Sequence, residues 1–140
     1  MVTMEDIKVR YPDAVSFKFG DSAELCAELN DLVRAGEKTA TCGPTRLYDR
    51  KPEEHPVVGR RDVALDWNGQ PALLIETLEL STCRFQDVRE DFALAEGEND
   101  DLEGWRRDHS AYFERNGGYS PDMMVICERF RLVEDLQPED

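Results

Sequence analysis

Asn68-Gly69 sits between two apolar runs, Asp62-Val-Ala-Leu-Asp-Trp67 and Ala72-Leu-Leu-Ile-Glu-Thr-Leu-Glu-Leu80. This leaves the chain few choices, because an Asn-Gly pair accepts the positive φ angles of a tight hairpin turn at little cost. The two runs are therefore expected to pair as antiparallel neighbours, with Pro71 at a strand start or an unpaired edge position. Further strands follow from pattern. Phe17 and Phe19 alternate with Ser16, Lys18 and Gly20, and Met124-Val-Ile-Cys-Glu-Arg-Phe-Arg-Leu-Val133 reads as a buried and then alternating strand. Leu25, Leu29, Leu32 and Val33 recur at helical spacing, with Asp21 and Glu24 in a capping-box pattern before them and Gly36 after them. That predicts a helix over residues 21–35. Leu102, Trp105, His109, Tyr112 and Phe113 mark a second helix, Leu102–Arg115, ended by Gly117-Gly118. The strands include a hairpin and are not separated by regular crossover helices. The expected class is α+β, a small barrel-like sheet with two main flanking helices, rather than a doubly wound parallel sheet.

A chain of 140 residues without repeats or low-complexity linkers is expected to form one domain over residues 1–133. The acidic segment that follows, residues 134–140 with Pro138, is expected to fray. No apolar stretch reaches the roughly 20 residues that span a bilayer. The N-terminal residues lack the basic start and apolar run of a signal peptide, so a cytoplasmic protein with no membrane partner is expected. Cys26, Cys42, Cys83 and Cys127 are scattered, and neither His55 nor His109 stands in ligand spacing with them. They read as small buried hydrophobes, and no metal or other cofactor is expected.

The net charge of -14 excludes a protein that tracks long duplex DNA, since such proteins present a basic face. The charge is segregated, however. Residues 34–61 hold seven basic side chains (Arg34, Lys38, Arg46, Arg50, Lys51, Arg60, Arg61) and four acidic ones (Glu37, Asp49, Glu53, Glu54). That local surplus of three leaves -17 on the remainder. A basic island on an acidic body suits a small nucleotide-like ligand or a short RNA, and a locally positive or neutral mouth is expected around Lys38.

The ordered set Phe19-Gly-Asp-Ser22, Gly36-Glu-Lys-Thr-Ala-Thr-Cys42, Gly59-Arg-Arg-Asp62, Ile75-Glu-Thr77, Ala95-Glu-Gly-Glu98, residues 105–113, Pro121-Asp-Met and Cys127-Glu-Arg-Phe130 resembles the ASCH-domain family. The resemblance covers nearly the whole chain and implies a PUA-like β-barrel. It also implies involvement with RNA or its components, because relatives include N4-acetylcytidine amidohydrolases and ribonucleases, and the domain occurs in transcription coactivators. Amidohydrolase relatives use a lysine, a threonine three residues later and a glutamate on a following strand. These correspond here to Lys38, Thr41 and Glu76, with Glu79 the other glutamate on that strand.

The same three residues make chemical sense on their own. Hydrolysis of an N-acyl amide needs a nucleophile, a base for its proton and an acid for the leaving amine. Thr41 would be the nucleophile. Lys38 would be the base if burial held it neutral, and Glu76 would contact the leaving nitrogen. Residues three apart on a regular strand point to opposite faces, so Lys38 and Thr41 can share a pocket only across a turn or bulge. Taken alone, Lys-Thr-Ala-Thr also reads as a strand edge with a solvated lysine. Thr39, Arg46, Tyr48 and His109 are candidate substrate contacts; for Tyr48 and His109 the competing reading is a packed or satisfied side chain. Glu96-Gly-Glu98 reads as a solvated acidic loop, or else as carboxylates near the cavity mouth. Three functions remain open: an amidohydrolase acting on N4-acylcytidine-type nucleosides, a metal-dependent ribonuclease, and a non-catalytic RNA-binding regulatory module.

Overall fold

A computed structural model describes residues 2–138 of the chain. Five strands form one sheet: β1 Ser16–Lys18, β2 Ala40–Pro44, β3 Arg61–Leu65, β4 Pro71–Arg84 and β5 Met124–Asp135. Their order is β1-β3-β4-β5-β2, with β1 and β3 parallel and the other pairs antiparallel. Five helices accompany them: α1 Met4–Arg10, α2 Ala23–Arg34, α3 Thr45–Arg50, α4 Glu90–Ala95 and α5 Leu102–Arg115.

The hairpin read from Asn68-Gly69 joins β3 to β4, and Pro71 opens β4. Its turn differs from the expected one. Only Gly69 takes a positive φ (83°), and its N–H bonds the Asp66 carbonyl while the Asp66 N–H bonds the Gln70 carbonyl. The loop is thus longer than two residues, with glycine alone in the left-handed position.

Alternation along the strands sorts the core onto two faces. Ala64, Leu73, Ile75 and Phe130 pack with Leu29 and Val33 of α2. On the opposite face, Val63 and Leu74 pack with Ile7 of α1, while Val125 and Cys127 meet Phe92, Trp105 and Phe113 of α4 and α5. Helix α2 begins one residue later than its pattern implied. Ser22 is the N-cap, accepting from the Leu25 N–H, whereas Asp21 accepts from Arg115 and Asn116 across the molecule. Helix α5 spans the expected residues.

Two expectations are corrected. The sheet does not close into a barrel: β1 and β2 are its free edges among the described residues. Side chains from both edges instead line a cavity in the seam between them. The acidic tail is not frayed through residue 136, because β5 continues to Asp135 against Leu73 and Leu74. Leu136 is buried, and its N–H bonds the Ala72 carbonyl. Residues 139–140 lie outside the described residues. No helix among those described is long and apolar enough to cross a membrane.

Burial ranks the cost of truncation. Ile75→Ala should lose about 2–5 kcal/mol in urea unfolding, and Leu94→Ala, on an exposed side chain, less than about 0.5 kcal/mol.

Candidate functional site

The seam cavity has a volume of about 900 Å³. Phe17 and Phe19 line it from the β1 side, Leu25 and Leu29 from α2, residues 41–44 from β2, Tyr48 from α3, and His109 and Tyr112 from α5. At its base lies Lys38, only 2% exposed. The backbone explains how Lys38 reaches this place. Gly36 ends α2 with φ 78°, and the N–H groups of Glu37 and Lys38 both bond the Leu32 carbonyl. The chain turns there before β2 starts at Ala40. Lys38 therefore escapes strand alternation and lines the same cavity as Thr41.

The Lys38 ammonium has three acceptors for its three N–H bonds: the Ala40 carbonyl at 2.9 Å, Glu96 Oε1 at 3.2 Å and Glu98 Oε2 at 3.2 Å. Glu96 is 1% exposed. Its Oε2 accepts from the Trp105 indole N–H at 2.8 Å, and its Oε1 also faces His109 Nε2 at 3.4 Å. His109 Nδ1 faces the Trp105 carbonyl at 3.0 Å, and the two rings stack at 4.3 Å. Both ring nitrogens of His109 thus point at acceptors, an arrangement that only the doubly protonated ring satisfies completely.

Proton affinities follow from this packing. For Lys38 the largest influence is burial, which favours the neutral amine, but Glu96 and Glu98 together outweigh it and hold the ammonium above its ordinary pKa. For Glu96 burial again opposes the charge, yet Lys38 and His109 pull its pKa down to about 2. Burial likewise works against the His109 imidazolium, and Glu96 overcomes it, so that pKa rises. This packing favours a charged Lys38 over the neutral base expected from the sequence. Its amine is an ion-paired donor, and the Thr41 hydroxyl is not among its bonded partners.

The other anticipated residues separate. Glu76 does not line the cavity; its Oε1 accepts from Arg131 at 2.8 Å and Arg61 at 3.3 Å. Its neighbour Thr77 is the buried one, and successive strand residues face opposite ways. The expected convergence of Lys38, Thr41 and Glu76 is not found, and Glu98 is the half-buried carboxylate that reaches Lys38 from the cavity. Thr39 is exposed and bonds the Ala95 carbonyl, and Arg46 bonds the Gly118 carbonyl at 2.7 Å; neither lines the cavity. Tyr48 and His109 do line it.

Glu96, Glu98, Cys42 and Glu128 carry the site's other polar groups. A sequence signal existed for three of them. Glu128 is an acid inside an apolar strand, and Gly97 separates two glutamates with φ 77°. A Cβ at Gly97 would overlap the Glu37 carbonyl, so glycine allows this loop to press against the backbone that presents Lys38. Cys42, Glu96 and His109 offer ligand atoms within 4.8 Å of one another. Both Glu96 oxygens are already engaged, one by the Lys38 ammonium, which supplies the positive charge a metal would bring there. Burial keeps the Cys42 thiol well above its ordinary pKa.

The charge expectation is also revised. Arg34, Lys38, Lys51, Arg60 and Arg61 of the basic island each pair with a carboxylate. The cavity lining holds four lysine and arginine residues against seven aspartates and glutamates. Its polar character is therefore acidic.

A family profile for the ASCH domain matches residues 15–134. The chain belongs to the ASCH domain family. Solved structures agree. An ASCH domain from Lactobacillus crispatus JV V101 is 32% identical with a TM-score of 0.79, covering 94% of this chain and 86% of its own. A protein from Enterococcus faecalis V583 is 34% identical with a TM-score of 0.75, covering 86% of this chain and 76% of its own. No curated protein matches the sequence.

The buried cluster gives this ASCH domain a defined pH response. Glu96 has a lowered folded pKa, so its contribution is complete above the ordinary carboxylate value of 4.5 and is lost as pH falls toward about 2. His109 has a raised one, so its contribution is complete below 6.5 and is lost as pH rises through the elevated value. Urea unfolding across pH should show maximal cluster stabilisation between these limits. Glu96→Gln should flatten the acid limb and cost about 3–5 kcal/mol near neutrality, because Lys38 and His109 lose their shared counter-charge. Gly97→Ala should cost at least about 2 kcal/mol through left-handed strain and overlap with Glu37, measurable in the same unfolding assay.

Proposed function

We propose that this ASCH domain is a hydrolase that removes the acyl group from a modified pyrimidine nucleoside of the N4-acylcytidine type. The family is generally associated with RNA, and the observation that carries the finer reading is that the Lys38–Glu98 pair and Thr41 line one acid-rich cavity. A volume of about 900 Å³ falls in the range of small-molecule sites. The surplus of carboxylates favours a neutral nucleoside over a phosphodiester chain, whose charge it would repel.

In this reading Glu98 takes the proton of the Thr41 hydroxyl, and the Thr41 oxygen attacks the acyl carbon. The Lys38 ammonium faces the negative charge that develops on the acyl oxygen. The carbon–nitrogen bond breaks as Glu98 returns the proton to the departing N4. A water, deprotonated the same way, then cleaves the acyl–Thr41 ester and restores the hydroxyl. Lys38 serves as a cation, the reverse of a neutral base. Glu98, with its side chain 23% exposed, is the partner free to exchange with ligand, whereas Glu96 at 2% is fixed.

Purified protein incubated with N4-acylcytidines and, separately, with unmodified RNA, each with and without chelator, tests this. Deacylation insensitive to chelator is expected. Thr41→Val and Glu98→Gln should each slow it by about 10² or more, with unfolding curves close to the parent. Chelator-sensitive RNA cleavage with untouched acylcytidines would replace this reading with a ribonuclease. Lys38→Ala is a poor probe, since it strands the buried Glu96 charge and destabilises the fold.

A further inference from the structure

Glu128 occupies the middle of β5, among the buried residues Val125, Ile126, Cys127 and Phe130. It is 9% exposed and lines the cavity, yet it forms no ion pair among the described residues. One oxygen is committed: Oε2 accepts from the Thr77 hydroxyl at 2.6 Å. Oε1 has no hydrogen-bond partner among the described residues. The cations near Glu128 are occupied elsewhere. Arg60 binds Asp62 at 2.8 Å, and Lys38 binds Glu96 and Glu98. Oε1 keeps access to the cavity, so a ligand there can take up the acceptor capacity that the protein leaves unused.

The register gives it a direction. Glu128 stands opposite Thr41 across the antiparallel β5–β2 pair, and directly opposed residues project from the same face. Tyr48 covers the same stretch: a Cβ on Gly43, two residues along from Thr41, would lie 3.3 Å from the Tyr48 hydroxyl. Thr41, Glu128 and Tyr48 thus bound one part of the cavity, the first at the proposed reaction centre.

We propose that Glu128 is the specificity-determining contact for the ligand's base, its free Oε1 accepting the exocyclic N–H of a cytosine-type ring and rejecting a carbonyl at that position. The inference rests on the nucleoside reading above and names which base edge the site selects. A carboxylate only accepts hydrogen bonds, so an amino or amide N–H satisfies it, while the O4 of a uracil-type ring sets lone pair against lone pair. A site built around a buried acceptor discriminates strongly, because the wrong ligand leaves that acceptor unpaired. The Thr77 bond makes the contact directional. In a Glu128→Gln variant the same hydroxyl holds the amide oxygen and turns the NH₂ toward the ligand, replacing an acceptor by a donor.

The test is binding of cytidine and uridine at neutral pH by calorimetry to the parent, Glu128→Gln and Glu128→Ala proteins, with unfolding curves for each. The parent should prefer cytidine by about tenfold or more. Glu128→Gln should abolish or invert that preference, and Glu128→Ala should flatten it by weakening cytidine. If Glu128→Ala does not fold, the near-isosteric Gln variant, which keeps the Thr77 bond, decides alone. A preference unchanged in the folded variants, or a parent that binds uridine as well as cytidine, overturns the inference. Acylcytidine turnover measured in parallel separates the two readings. A Glu128-dependent preference without turnover leaves the inference standing and removes the hydrolase; turnover with a Glu128-independent preference does the opposite. A parent that binds neither nucleoside overturns the inference, and one that also turns over no acylcytidine removes both.

Discussion

The Lys38 ammonium, enclosed with Glu96 and Glu98, holds together parts of the chain that no strand pairing connects. Lys38 stands between α2 and β2, and the two glutamates follow α4. The indole of Trp105 and the ring of His109, both on α5, complete the shell around Glu96. Removing these charges from water is expensive, and a buried ion pair is seldom worth more than hydrophobic packing of the same volume. Its arrangement gives it another consequence. Each polar atom in the shell accepts or donates in a fixed direction, so α5, the loop after α4 and the start of β2 have one mutual placement. A hydrocarbon plug at the same position would tolerate several.

That placement also determines the character of the cavity. Because the carboxylates hold the Lys38 ammonium and favour protonation of His109, the polar groups at the cavity floor are oriented before any ligand arrives. Preorganised charge of this kind stabilises developing charge without reorganising at the moment of reaction. The remaining wall carries an acidic surplus, which disfavours anionic groups placed against it. The net charge of -14 is thus expressed locally, in the lining of the cavity.

Much of the architecture was legible because its signals are local. The Asn68-Gly69 hairpin, both main helices and the buried β5 strand follow from turn residues and apolar spacing, which depend on neighbours within a few positions. The open sheet was not legible, since closure depends on how far the short β1 lies from β2, a relation between residues 16–18 and 40–44. Helix α1 was not anticipated: Thr3 and Asp6 cap it reciprocally, but its seven residues bury only Ile7. The site was half legible. Lys38 and Thr41 stand in a recognisable segment, while the choice of Glu76 counted sequence order along a strand and could not register that Thr77 takes the inward position. Glu98 lies 60 residues from Lys38, and the bonds of Thr39 to the Ala95 carbonyl together with the close Gly97 approach to the Glu37 backbone bring it there.

The failure of the sheet to close and the existence of a site have one cause. A closed small barrel fills its interior with side chains from every strand. Here the strands at the seam carry residues that do not fill space: Gly43 has no side chain, Thr41 is short, and β1 stops after three residues. Tyr48 folds over the gap from α3, and Glu128 projects into it from the strand next to the edge. A side chain at Gly43 would crowd the Tyr48 hydroxyl, which would lie 3.3 Å from its Cβ. With a glycine at position 43 and a carboxylate at position 128, the two strand edges form the walls of a cavity rather than a continuous core.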